Sequence, residues 1–122
     1  MITNNQKMVL YNSYQGNSKK VLCVCSCGVL RSPTAAEVLS RDPYNFNTRS
    51  CGTDTSFALI PISEALTSWA NEIVCMTKSQ VKELGIINKP VICLDIEDSY
   101  SFRDPKLIKL IKERYNESVK EF

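Results

Sequence analysis

Val21-Leu22-Cys23-Val24-Cys25-Ser26-Cys27-Gly28-Val29-Leu30-Arg31-Ser32-Pro33 is the stretch on which the fold turns. Val21 to Val24 form an unbroken apolar run containing two β-branched residues, which predicts a buried strand. A glycine-containing loop, Ser26 to Leu30, follows. Ser32 then predicts a helix cap, with Pro33 at the first helical position, where a missing N–H costs nothing. Strand, short loop and helix in this order are the start of a β-α unit.

The same alternation continues outward. Asn47 to Ser50 reads as a second strand ending at Gly52. Ile62 to Ala70 reads as a helix with Ile62, Ala65, Leu66 and Trp69 spaced along one face. Ile73 to Met76 predicts a third strand, Ser79 to Leu84 a short helix stopped by Gly85, and Val91 to Leu94 a fourth strand after Pro90. The last helix opens with Asp104 as cap and Pro105 next. It should bury Leu107, Ile108, Ile111 and Tyr115, leaving its lysines and Arg114 on a solvated face. Parallel neighbours need crossover connections, so the expected fold is α/β, a doubly wound four-stranded parallel sheet with helices on both faces. Residues 1–18 read as an N-terminal extension and 19–122 as one domain, since 122 residues hold a single core.

Composition narrows the function. Fifteen Lys and Arg against thirteen Asp and Glu leave a net charge of +2, too balanced to argue for a nucleic-acid or membrane-surface partner. There is no histidine, which removes Ser-His and Cys-His nucleophile pairs, histidine bases and imidazole metal sites. The alternation Cys23, Cys25, Cys27 lacks the C-x2-C spacing of a zinc site and a remote cysteine pair, so neither metal nor cofactor is expected. The polar start, Met1 to Asn12, lacks the apolar stretch of a signal peptide, and the six cysteines are expected reduced in a cytoplasm. No apolar run approaches the roughly 18 residues of a membrane span.

In an open parallel sheet ligands bind beyond the carboxyl ends of the strands, which directs attention to Cys25 to Ser32, the segment after Ser50, and Asp95 to Asp104. The backbone N–H groups of Ser26, Cys27, Gly28, Val29 and Leu30, with the following helix N-terminus, suit a tetrahedral oxyanion. Arg31 adds a planar charged fork for two phosphate oxygens, and its field favours thiolate at Cys25. Ser32 can donate a hydrogen bond to that thiolate. A leaving oxygen also needs a proton, and only a carboxylic acid is at hand near neutral pH. Asp98, on the loop after the fourth strand, is the first choice, with Asp95 and Asp104 as alternatives. Tyr100 is either a wall for an aromatic substrate or simple packing.

These residues resemble the low-molecular-weight protein tyrosine phosphatases over roughly Lys20 to Tyr115. The strongest part is Val-Leu-x-Val-Cys-x5-Arg-Ser-Pro-x-Ala with Glu close behind, Val21 to Glu37. Ser50-Cys51-Gly52-Thr53 echoes the family's Ser-Ala-Gly-Thr, and Ile96-Glu97-Asp98-Ser99-Tyr100 is similar to its Asp-Pro-Tyr loop with Ser in place of Pro. Leu94 to Pro105 is most similar to a compact bacterial and phage branch. The resemblance implies that Cys25 attacks phosphorus to form a cysteinyl-phosphate, Arg31 binds the phosphoryl group, Ser32 stabilises the thiolate, and Asp98 protonates the leaving group and then activates water. Gly28 stands where the family usually has Asn, and Leu30 where it has a second loop cysteine. A disulfide trapping oxidised Cys25 would then draw on Cys27, Cys23 or Cys51. The leading function is hydrolysis of a phosphotyrosine protein or other phosphomonoester, with phosphate or another oxyanion in the loop. A thiol-dependent arsenate reductase and a non-catalytic phosphate-binding module are the alternatives.

Overall fold

β1 (Lys20–Cys25) is buried from Val21 to Cys25, as a strand flanked by neighbours and covered on both faces must be. The computed structural model describes residues 18–25, 31–54, 58, 60–85, 87–96 and 104–120, apart from the side chains of Arg31 and Lys120. After β1 come α1 (Arg31–Ser40), β2 (Asn47–Gly52), α2 (Glu64–Trp69), β3 (Glu72–Cys75), α3 (Lys78–Leu84), β4 (Val91–Cys93) and α4 (Pro105–Lys120). The sheet order is β2-β1-β3-β4 and every pairing is parallel. The expected doubly wound α/β fold is therefore present. All but Ser18 of the expected extension, residues 1–18, lies outside the described residues.

Side chains alternate between the two faces of a strand, and β1 divides the core accordingly. Val21, Cys23 and Cys25 join Val38 and Leu39 of α1 and Leu107, Ile111 and Tyr115 of α4. Leu22 and Val24 join Cys51, Ile73 and Cys75, with Leu66 and Trp69 of α2 and Val81 and Leu84 of α3 packed against them. The chain leaves β1 toward β2 on one side and returns to β3 on the other, so the strand order reverses beside β1, and the carboxyl end of β1 opens at that crevice.

Several local expectations are corrected. α1 starts at Arg31, so Ser32 is inside the helix and is not its cap. α2 is capped by Ser63, whose side chain accepts from Leu66 N, and Ala65 is exposed because so short a helix presents little more than Leu66 and Trp69 to the sheet. Ile108 is half-buried at the margin of the core. Asp104 does cap α4: its Oδ1 accepts from Lys106 N at 2.9 Å.

A polar cluster at the amino ends of the strands was not foreseen. Glu72 opens β3 and is 7% exposed. Its carboxylate accepts from Lys19 Nζ and from Tyr115 OH, each at 2.9 Å, and Lys19 Nζ lies 4.5 Å from the Phe46 ring centroid. Burial, reinforced by the Glu72 charge, pushes the Tyr115 phenol well above its usual value. Lys19 keeps part of its solvent contact, with its side chain 35% exposed, so the pair is worth less than a fully buried one. Glu72→Ala is expected to lower unfolding free energy by about 2 kcal/mol, because it strips a buried acceptor from two donors at once. Urea unfolding of this variant beside Tyr115→Phe checks it, and an unchanged midpoint would show the cluster to be energetically idle.

Candidate active site

Cys25 is the last residue of β1, 3% exposed, and its backbone is fixed from both sides. Its carbonyl accepts from Thr53 N at 2.9 Å, and the carbonyl of Val24 accepts from Met76 N at 2.9 Å. The sulfur therefore leaves a rigid sheet edge. The chain then returns to place Ser32, fully buried, against it: Cys25 Sγ and Ser32 Oγ are 3.1 Å apart. Ser32 Oγ in turn donates to the carbonyl of Cys51 at 3.2 Å. Cys25 and Ser32 are thus brought into contact, with the thiol donating to the hydroxyl oxygen, and Ser32 is held by the thiol and by β2 rather than serving as a helix cap. A hydroxyl in this place can turn its proton toward a thiolate when Cys25 ionises, which is what a nucleophilic sulfur requires.

The remaining loop residues, Ser26, Cys27, Gly28, Val29 and Leu30, lie outside the described residues, as do Asp98, Tyr100 and the side chain of Arg31. What is described around them is the frame. Arg31 opens α1, directly before Ser32. The acid-bearing segment starts from Leu94 and Ile96, both buried in the core, and ends at the Asp104 cap. Of the alternative acids, Asp104 is occupied as a cap, and Asp95 is exposed on a left-handed turn with φ 55 immediately beyond β4.

Cys23, Cys51 and Cys75 differ from Cys25 in their setting. Cys51 is in register with Val24 and Cys75 is in register with it on the other side, so both follow Val24 onto the face of the sheet away from Cys25. Burial pushes the Cys51 and Cys75 thiols up to about 12, with Cys25 adding to the first and Cys93 to the second. Burial likewise holds Cys23 well above its usual value. Thiols kept protonated are poor nucleophiles, so Cys23 and Cys51 are ill suited to capture an oxidised Cys25.

The sequence reading missed Arg114. Rather than standing on a solvated face, it is half-buried and donates from Nη1 to the carbonyls of Leu94 at 3.2 Å and Asp95 at 3.3 Å. Its basic neighbours along α4 concealed it, because a lysine-rich helix end looks the same whether or not one of its cations turns inward.

No protein-family model matches the chain, and no curated protein matches it. Solved structures do. Wzb of Vibrio vulnificus, in complex with benzylphosphonate, superposes with a TM-score of 0.65 at 19% identity, covering 87% of this chain and 100% of that one. The tyrosine phosphatase Wzb of Escherichia coli K30, in complex with phosphate, gives 0.62 at 15%, covering 86% and 99%. A thioredoxin-dependent arsenate reductase of Corynebacterium glutamicum gives 0.60 at 16%, covering 93% of this chain and 66% of that one. The fold is the one the low-molecular-weight tyrosine phosphatases have, as the sequence resemblance implied.

Proposed function

We propose that the chain is a metal-independent phosphomonoesterase, a protein tyrosine phosphatase working through a cysteinyl-phosphate. The observation that carries this reading is the 3.1 Å approach of Ser32 Oγ to Cys25 Sγ, at a strand end beside the point where strand order reverses. It puts a hydroxyl, which accepts from the thiol and can turn to donate to a thiolate, against the sulfur that ends β1 at the carboxyl edge of the sheet. The oxyanions held by the similar Wzb structures, benzylphosphonate and phosphate, support a phosphoryl group as the occupant of the loop from Ser26 to Leu30.

In the first step the Cys25 thiolate attacks phosphorus, the bond from phosphorus to the ester oxygen breaks, and Asp98 gives its proton to that oxygen. Arg31 and the loop N–H groups hold the equatorial oxygens through the transition state. In the second step Asp98, now a carboxylate, takes a proton from water as it attacks phosphorus. The phosphorus–sulfur bond breaks, and phosphate and thiolate are released. The chain has no histidine that could replace Asp98 in either step. A cytoplasmic setting keeps such a thiol reduced, and none of the five described cysteines is in a disulfide.

Release of 4-nitrophenol from its phosphate ester, and of phosphate from a phosphotyrosine peptide, with and without chelator, tests the proposal. Turnover that survives the chelator is expected, and absence of turnover on both substrates would sink it. Thiol-dependent arsenate reduction needs further reactive cysteines close to Cys25, and the third-strand cysteine, Cys75, faces away from it. Arsenate should therefore not be reduced with thioredoxin as electron donor.

Arg31→Lys is expected to slow phosphoenzyme formation by about 10²–10³-fold, the usual cost of losing a preorganised donor to the transition-state oxygens. An ammonium keeps the charge but not the two parallel N–H bonds. Single-turnover kinetics measure this, and a Lys variant close to wild type would mean that Arg31 does not bind the phosphoryl group.

A further inference from the structure

Four hydrogen bonds hold the root of the segment that leaves β4, two from its own backbone to the end of β3 and the residue after it, and two from one side chain. Leu94 N donates to Cys75 O at 2.9 Å and Ile96 N to Met76 O at 2.8 Å. These bonds and the burial of both side chains fix Leu94 and Ile96 against β3. Between them Asp95 is exposed and takes a left-handed conformation, φ 55, which an aspartate tolerates better than most residues. The carbonyls of Leu94 and Asp95 accept from the same nitrogen, Arg114 Nη1, at 3.2 and 3.3 Å.

Arg114 belongs to α4, and α4 begins at the far end of the same segment, where Asp104 caps it. At 1.5 Å per residue, Arg114 sits about 14 Å along the helix from that start. One helix therefore holds both ends of the stretch 97–103, one end through the chain and the other through a guanidinium. A nitrogen carrying two N–H bonds in a fixed plane suits two adjacent carbonyls, whereas an ammonium on a flexible stem makes the same pair of contacts at a larger loss of freedom.

We propose that Arg114 is a positioning residue for proton transfer: by clamping the Leu94–Asp95 turn to α4 it sets the direction in which the chain enters the loop bearing the general acid. This rests on the reading of Asp98 as that acid. In this role Arg114 acts through the carbonyls of Leu94 and Asp95, and its effect should appear only where the proton matters. Small displacements of a catalytic group are costly, up to about 10²-fold for 1 Å.

The test compares Arg114→Met and Arg114→Lys with wild type, in single-turnover phosphoenzyme formation from phenyl phosphate and from 2,4-dinitrophenyl phosphate. Amide hydrogen exchange of residues 94–104 is followed in parallel. Arg114→Met should slow the phenyl ester about 10-fold and the dinitrophenyl ester less than about 2-fold, with faster exchange at 94–104 and substrate affinity unchanged. Arg114→Lys should recover part of the loss. In an Asp98→Asn background Arg114→Met should add nothing, because both then act on one step.

Equal slowing of both esters, or unchanged exchange at 94–104, would overturn the proposal while leaving the acid assignment intact. So would an additive loss in the Asp98→Asn background. If Asp98→Asn alone shows no leaving-group dependence, the acid assignment falls and the catalytic role of Arg114 with it. Exchange at 94–104 still reports in that case whether the clamp exists.

Discussion

Cys25→Ser is expected to reduce phosphomonoester hydrolysis by at least about 10⁴-fold, the scale on which loss of a covalent nucleophile is felt. The reason is the chemistry of the replacement. A cysteine sulfur is intrinsically a strong nucleophile, whereas a serine hydroxyl needs an adjacent base, and the chain has no histidine to supply one. The fold should survive, because Cys25 is held chiefly through its backbone, by the bond from Thr53 N to its carbonyl, and serine fits the same space. Its new hydroxyl would still meet Ser32 Oγ, now as an ordinary hydrogen bond. The variant should therefore bind a phosphotyrosine peptide without consuming it. Calorimetric binding beside 4-nitrophenol release distinguishes a lost nucleophile from a lost fold, and turnover by the purified variant would end the cysteinyl-phosphate mechanism.

Asp98→Asn is expected to slow esters with poor leaving groups by about 10²–10⁴-fold, the ordinary contribution of a general acid. Activated esters should lose far less, since a nitrophenolate departs without a proton whereas phenolate or an alkoxide needs one. This unevenness separates a proton donor from a residue that only shapes the loop. Asp104→Asn is the control. Asp104 Oδ1 accepts from Lys106 N at the start of α4, and asparagine caps helices about as well, so that variant should keep its fold and its kinetics. Phosphoenzyme formation across a series of substituted aryl phosphates decides between them. A leaving-group-sensitive defect in Asp104→Asn, with none in Asp98→Asn, would reverse the assignment.

The proposed general acid and the proposed nucleophile were legible to different degrees for a physical reason. Cys25 follows an apolar strand and precedes a helix start within a few residues, so its position at the carboxyl edge of the sheet follows from local pattern alone. Asp98 is one of several acids in a stretch with no periodicity, where neighbouring residues constrain nothing. The partners of Ser32 were half legible. That it should meet Cys25 follows from a short loop closing on a helix, but its bond to the Cys51 carbonyl depends on which strand lies beside β1.

Determined by the sequence itself were the alternation of strand and helix, the parallel sheet, the exclusion of histidine chemistry and the place of Cys25 at the end of β1. All of these rest on hydrophobic period, on helix caps such as Asp104, and on composition, which are properties of short windows. Only the tertiary structure decided the strand order β2-β1-β3-β4 and the turning of Cys51 and Cys75 away from Cys25. It also decided the closing of Glu72 with Lys19 and Tyr115 and the reach of Arg114 back to Leu94 and Asp95. Each of these joins residues far apart in the chain. A lysine, glutamate or arginine has the same local propensity whether it faces water or a buried partner, so its role is set by whatever the rest of the fold brings against it.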